Sequence, residues 1–83
     1  MKIHSIKIES PYFRAVLNKY KTFEIRKNDR NYQVEDVLYM YESYEGTVIN
    51  TTPIKRKIVY ITDFPKGLKK GYVVLGIVPL KSR

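Results

Sequence analysis

The residues best able to do chemistry in this chain lie close together between Lys19 and Arg30. Lys21, Glu24 and Arg26 fall in one short stretch, with Lys27 and Arg30 just behind. A guanidinium such as that of Arg26 can clamp a phosphate or carboxylate through two parallel hydrogen bonds. Glu24 is two residues away on an alternating pattern, so it shares a face with Arg26. From there it can orient the guanidinium or accept a hydrogen bond from a base edge. Lys21 can meet an anion as a point charge, or serve as nucleophile or base where burial lowers its pKa. The competing reading is a solvated Glu24–Arg26 pair worth less than about 1 kcal/mol.

Elsewhere reactive groups are sparse. His4 is the sole histidine, and its parity with Ile6 and Ile8 turns it inward or into a cleft. One imidazole cannot build a metal site, and no matched nucleophile accompanies it. A hydrogen-bonded structural role and a place at a cleft floor both stay open. Among eight tyrosines, Tyr12 and Tyr32 stand near element ends, where a ring can stack on a base. No glycine-rich phosphate loop, carboxylate cluster of metal spacing or nucleophile elbow occurs, so no metal or cofactor is expected.

The elements that must position these groups follow from periodicity. Residues Lys2 to Ile8 alternate as a strand. Ser10-Pro11 then opens a helix, with Ser10 expected as N-cap and Pro11 at the first helical position. Phe13, Val16, Leu17 and Tyr20 recur at helical spacing as one apolar stripe, which places the helix end near Tyr20. Thr22 to Lys27 alternates again, with Phe23 and Ile25 expected on the buried face and Thr22, Glu24 and Arg26 on the other. Further strands are expected at Val37 to Glu42, Thr47 to Thr51, Lys55 to Thr62 and Tyr72 to Val78, the last being the most apolar and expected at the centre. Turns fall at Asn28 to Asn31 and at Tyr44-Glu45-Gly46, with a basic loop at Pro65 to Gly71. One short helix after the first strand, with five to six strands, reads as a small α+β domain whose sheet curls into a barrel.

Eighty-three residues make one domain, spanning 1–83, with a single small core. There is no cysteine, which excludes disulfides and thiolate metal sites. The N-terminus lacks the apolar run of a signal peptide, and no stretch approaches the length of a membrane span. A cytoplasmic protein without membrane contact is expected. Sixteen Lys and Arg against eight Asp and Glu give a net charge of +8, and the charges are segregated. No Lys or Arg lies between Arg30 and Lys55, while basic residues gather at 19–30, 55–57, 66–70 and at Lys81 and Arg83. Such segregation makes a field that favours a polyanion.

The string Lys21-Thr22-Phe23-Glu24-Ile25-Arg26-Lys27-Asn28-Asp29-Arg30, directly after a first helix, resembles the signature of the ASCH domain, within the PUA-like superfamily. It looks like a group of small bacterial and phage ASCH-like domains of unknown function. That likeness extends to His4-x-x-Lys7, to the Pro11-Tyr12-Phe13 helix start and to Gly71-Tyr72-Val73-Val74-Leu75-Gly76-Ile77. The chain departs from the pattern at Lys19 and Glu35, where the family usually carries glycine. Glycine at such places serves a backbone with φ > 0 or a close approach.

The resemblance implies a PUA-like β-barrel with a cleft between the first helix and the barrel. RNA or a nucleotide-like ligand would bind there, with His4, Lys21, Glu24, Arg26, Lys27, Arg30 and Tyr12 as contacts. A related branch implies an alternative, an amidohydrolase acting on an acylated nucleoside. In that case Lys21 and Thr22 would be the reactive groups and Glu24 the acid/base. The position of the branch's usual Thr is held here by Glu24, so this carry-over is broken at one residue. A third reading is an accessory module that binds a protein through its basic face.

Overall fold

Alternation builds the first element as expected. A computed structural model describes residues 1–80, so the basic residues Lys81 and Arg83 lie outside the described residues. β1 (Ile3–Glu9) buries His4, Ile6 and Ile8 and exposes the residues between them. α1 (Ser10–Leu17) follows without a gap, and Pro11 sits in its first turn, where its missing N–H costs nothing. Ser10 is helical and caps nothing; its hydroxyl donates to Glu42 Oε2 at 2.6 Å, and Glu9 holds the N-cap position.

The helix is one turn shorter than its apolar stripe predicts. Phe13 and Val16 are buried, whereas Leu17 and Tyr20 face solvent. The chain leaves the helix through Lys19, in the left-handed region at φ 67°. The amide of Lys19 donates to Val16 O at 3.0 Å and that of Tyr20 to Ala15 O at 2.9 Å. These two bonds define a Schellman ending, which satisfies carbonyls of the last turn. Lys19 thus takes up the backbone conformation for which glycine is the usual residue.

The remaining strands are β2 (Phe23–Lys27), β3 (Val37–Tyr44), β4 (Thr47–Val48), β5 (Ile54–Thr62) and β6 (Tyr72–Pro79). They form one mixed sheet in the order β1-β3-β5-β6-β2, with the two-residue β4 added to β3. The β1–β3 pair is parallel and the others antiparallel. β5, rather than the more apolar β6, occupies the middle of this order; β6 lies between β5 and β2. β3 runs two residues past its expected end and β4 is shorter than expected. The hairpin between them turns on Glu45 and Gly46, both at positive φ, the pairing that matches the twist of the flanking strands.

A register break between Ile58 and Tyr60 on β5 leaves Val59 and Tyr60 both exposed. A bulge of this kind bends a strand and helps a sheet to curl. The result is a half-barrel closed around Ile6, Ile8, Leu38, Met40, Ile58 and Leu75, with α1 packed over one end. Its two outer strands, β1 and β2, are not laddered to each other. Arginines bridge them instead: Arg26 Nη1 donates to Lys7 O at 3.3 Å and Arg30 Nη1 to Ser5 O at 2.6 Å.

The orientation of β2 is the reverse of the sequence expectation. Glu24 is buried at 5 % exposure, while Phe23 and Ile25 are 41 and 47 % exposed. β2 is an outer strand, so only its inner row meets the core, and that row is Glu24 and Arg26 rather than Phe23 and Ile25.

Candidate functional site

The Schellman ending of α1 turns the chain back toward the sheet and delivers Lys21 beside the start of β2. There its ammonium pairs with the Glu24 carboxylate three residues on. Glu24 is inward on β2, and the end of β1 with Tyr12 on the first turn of α1 faces it across a gap. Together Lys7, Ile8, Glu9, Tyr12, Lys21 and residues Phe23 to Arg26 line an open cleft of about 490 Å³. The ammonium of Lys21 lies 5.4 Å from the Tyr12 ring centre and 5.2 Å from that of Phe23. A cation at this distance is attracted by the ring quadrupole.

Electrostatically, the cleft has three cations and two carboxylates, and both carboxylates are engaged. Glu24 is held by Lys21. Glu9 accepts from Ser43 Oγ at 2.7 Å and from the amides of Glu45 at 2.8 Å and Gly46 at 3.1 Å. The Ser43 hydroxyl, the Gly46 amide and then the Glu45 amide and Lys7 hold the Glu9 carboxyl below its ordinary range, against the effect of burial. Arg26 is half-buried and spends one nitrogen on Lys7 O. Lys7 donates to Gly46 O at 2.9 Å from an exposed side chain. The charge open to a ligand therefore comes from Arg26 and Lys7 more than from Lys21.

The other sequence-predicted residues separate. Lys27 and Arg30 lie beyond the cleft, at the far end of β2 and in the turn after it. Thr22 is exposed outside the strand and does not line the cleft; its carbonyl accepts from the Ile77 amide at 3.0 Å. The partner of Glu24 is Lys21 rather than Arg26. Lys7, Glu9 and Phe23 line the cleft but were not expected in the site; the placement of Glu9, immediately before Ser10-Pro11, is the one signal that could have pointed to it.

His4 and Tyr32 belong to a separate buried cluster. His4 Nε2 lies 2.8 Å from Asp36 Oδ2, and its ring meets that of Tyr32 edge-on at 4.8 Å. Tyr32 is 3 % exposed, which closes it to base stacking. Burial pushes the Asp36 carboxyl up, but hydrogen bonds from His4 and from the amides of Lys2 and Gln33 outweigh it and hold the pKa at about 2. Both Asp36 oxygens are partnered, and among the described residues no deeply buried side-chain nitrogen or oxygen lacks a hydrogen bond, the mark of a structural network. Among the described residues, no group of three or more His, Cys, Asp or Glu is placed to hold a metal ion, and no helix is long and apolar enough to cross a membrane.

The chain is 38 % identical over 74 residues to an uncharacterized 12.9 kDa protein in the GpA 3' region of Escherichia phage P2. The aligned part covers 89 % of this chain and 66 % of the phage protein, so the chain spans just under two thirds of that relative. The sequence pattern of a family described as domain of unknown function DUF3850 matches residues 3–77, taking in β1, α1, the whole cleft and most of β6. With its cleft-forming segments all inside that match, the chain belongs to the DUF3850 family.

Proposed function

We propose that this chain is a PUA-like, ASCH-like domain that binds RNA or a nucleotide-like ligand in the cleft between α1, β1 and β2. One observation carries the reading: the cleft joins the available cations of Arg26 and Lys7 to the aromatic walls of Tyr12 and Phe23. A phosphate needs the first and a base needs the second. The net charge of +8 favours the approach of a polyanion. Lys21 and Glu24 then act as a neutral, hydrogen-bonding floor rather than as a phosphate clamp. Fluorescence anisotropy with short single-stranded and hairpin RNAs at several salt concentrations tests the reading. Salt-sensitive binding that Arg26→Ala weakens at least tenfold supports it. Binding indifferent to salt, or unchanged by Arg26→Ala, rejects it.

A second reading, hydrolysis of an amide on an acylated nucleoside, draws on the low exposure of the Lys21 side chain, 19 %, against a buried carboxylate. Desolvation is one way to make a lysine reactive, whereas a carboxylate partner favours the ammonium form. The position of Thr22 outside the cleft also weighs against this reading. Turnover of acylated nucleosides that Lys21→Ala abolishes would carry this reading. A normal lysine titration at Lys21 would sink it.

A further inference from the structure

Phe23 and Ile25 are large apolar residues on a strand whose polar neighbour Glu24 is buried, so something other than the core accounts for their placement. They form an exposed row on the outer face of β2, with Lys27 as the third member. Phe23 and Ile25 belong to the cleft wall, and Lys27 carries the row to the edge of a second cavity. Lys27 pairs with Tyr72 across the β2–β6 ladder, and the amide of Asn28 donates to Gly71 O at 2.8 Å. Residues Asp63 to Tyr72 enclose a pocket of about 380 Å³ here, lined by Phe64 and Tyr72 and by Lys69 and Lys70. Phe64 is 58 % exposed, and its ring lies so close over Gly67 that a side chain there would push the ring aside. Asp63 is the one acidic residue of the lining.

The cleft thus runs along β2 from Phe23 to Arg26, and the pocket adjoins the strand's last residue, Lys27, through Tyr72. From Glu24 to Lys27 is three residues, roughly 10 Å of extended chain. Along the outer face Phe23 and Ile25, themselves part of the cleft wall, lead to Lys27 and its ladder partner Tyr72, beside Lys69 and Lys70 of the pocket lining. Aromatic platforms beside a basic track are what unpaired bases and their phosphates require, and a duplex offers no free base faces to them.

We propose that the 63–72 loop pocket forms a second subsite for single-stranded nucleic acid, continuous with the cleft along Phe23, Ile25 and Lys27 of β2. This rests on the reading of the cleft as a nucleotide site. The charge of the surround selects a polyanion over an acidic-poor protein surface, and the rings select a single strand. One strand then occupies the cleft with one nucleotide and the loop pocket with a base a few nucleotides along.

The test measures anisotropy of labelled oligouridylates of one, two, four and eight nucleotides, and of an eight-base-pair RNA duplex, on the full chain. The expected result is an affinity at least tenfold higher for the eight-nucleotide strand than for the dinucleotide, with the duplex weaker than the strand. The double variant Lys69→Glu/Lys70→Glu, on exposed loop positions, should return the long strand to the affinity of the short one and leave the short one unchanged. Affinity independent of length, or a long strand indifferent to the loop variant, overturns the second subsite while binding sensitive to Arg26→Ala leaves the cleft reading standing. Length-dependent, loop-dependent binding that Arg26→Ala does not touch rejects the cleft and keeps the loop. Absence of any binding at low salt overturns both and moves the surface to a protein partner.

Discussion

The Lys21 ammonium and the Glu24 carboxylate meet at the floor of the cleft, between the rings of Tyr12 and Phe23, with Glu24 almost wholly out of solvent. A buried charge with one partner is stable only as a pair. Removing the partner strands the other charge, whereas removing both leaves an apolar contact. The pair therefore ties the strength of the fold to the shape of the cleft.

Lys21→Met is expected to destabilise the chain by about 3 kcal/mol, because Glu24 keeps its burial and loses its counter-ion. The double variant Lys21→Met/Glu24→Leu should recover most of that loss. Urea unfolding of the two single variants and the double one measures the coupling. Equal losses that simply add would show that the pair is solvated and contributes nothing.

Lys19 and Glu35 stand at φ 67° and 80°, a left-handed backbone that costs a side-chain-bearing residue about 1 kcal/mol or more. Lys19→Gly and Glu35→Gly should each stabilise by about 0.5 kcal/mol, once the greater freedom of glycine in the unfolded chain is deducted. Glu35 also gives up an exposed 3.3 Å pair with Lys57, a loss too small to reverse the sign. Thermal melts of both variants provide the measurement, and a fall in Tm at either position would contradict the strain.

Arg30 reaches Ser5 O and Arg26 reaches Lys7 O across the seam between β1 and β2. Arg30→Ala is expected to cost about 1 kcal/mol and to speed amide exchange along β1 more than along β5. Uniform exchange across all strands would mean that the arginine does not hold the seam.

Asp36 holds a carboxyl at about 2 in the folded chain, below its ordinary 3.8. As pH falls, the unfolded chain takes up this proton first. The associated stability is complete above about pH 4 and is lost as pH drops toward 2. Glu9, also lowered, contributes with the same sign from a little higher pH. Acid titration of the fold should show this loss, and Asp36→Asn should flatten its lower part. An unchanged acid limb in Asp36→Asn would place the titrating group elsewhere.

Much of this architecture was legible in the order of residues. The inward row His4, Ile6 and Ile8 follows from alternation, Pro11 marks the helix start, and the hairpin at Glu45-Gly46 follows from turn chemistry. These are local matters, settled by steric limits on φ and ψ and by a period of two or 3.6 residues. Lys21, Glu24 and Arg26 stood out through the ASCH-like signature, since spacing alone favours a solvated Glu24–Arg26 pair, and the fold brings all three into one cleft. The inward face of β2 was not legible, because alternation yields two faces without saying which meets the core. β2 ends the sheet beside β1, and only that position buries Glu24 and leaves Phe23 and Ile25 outside. The partner of Asp36, the closure of Tyr32 and the separation of His4 from the cleft were also decided by contacts more than twenty residues apart in sequence. Such contacts depend on which strands lie side by side, and pairing across a sheet is a property of the folded chain as a whole.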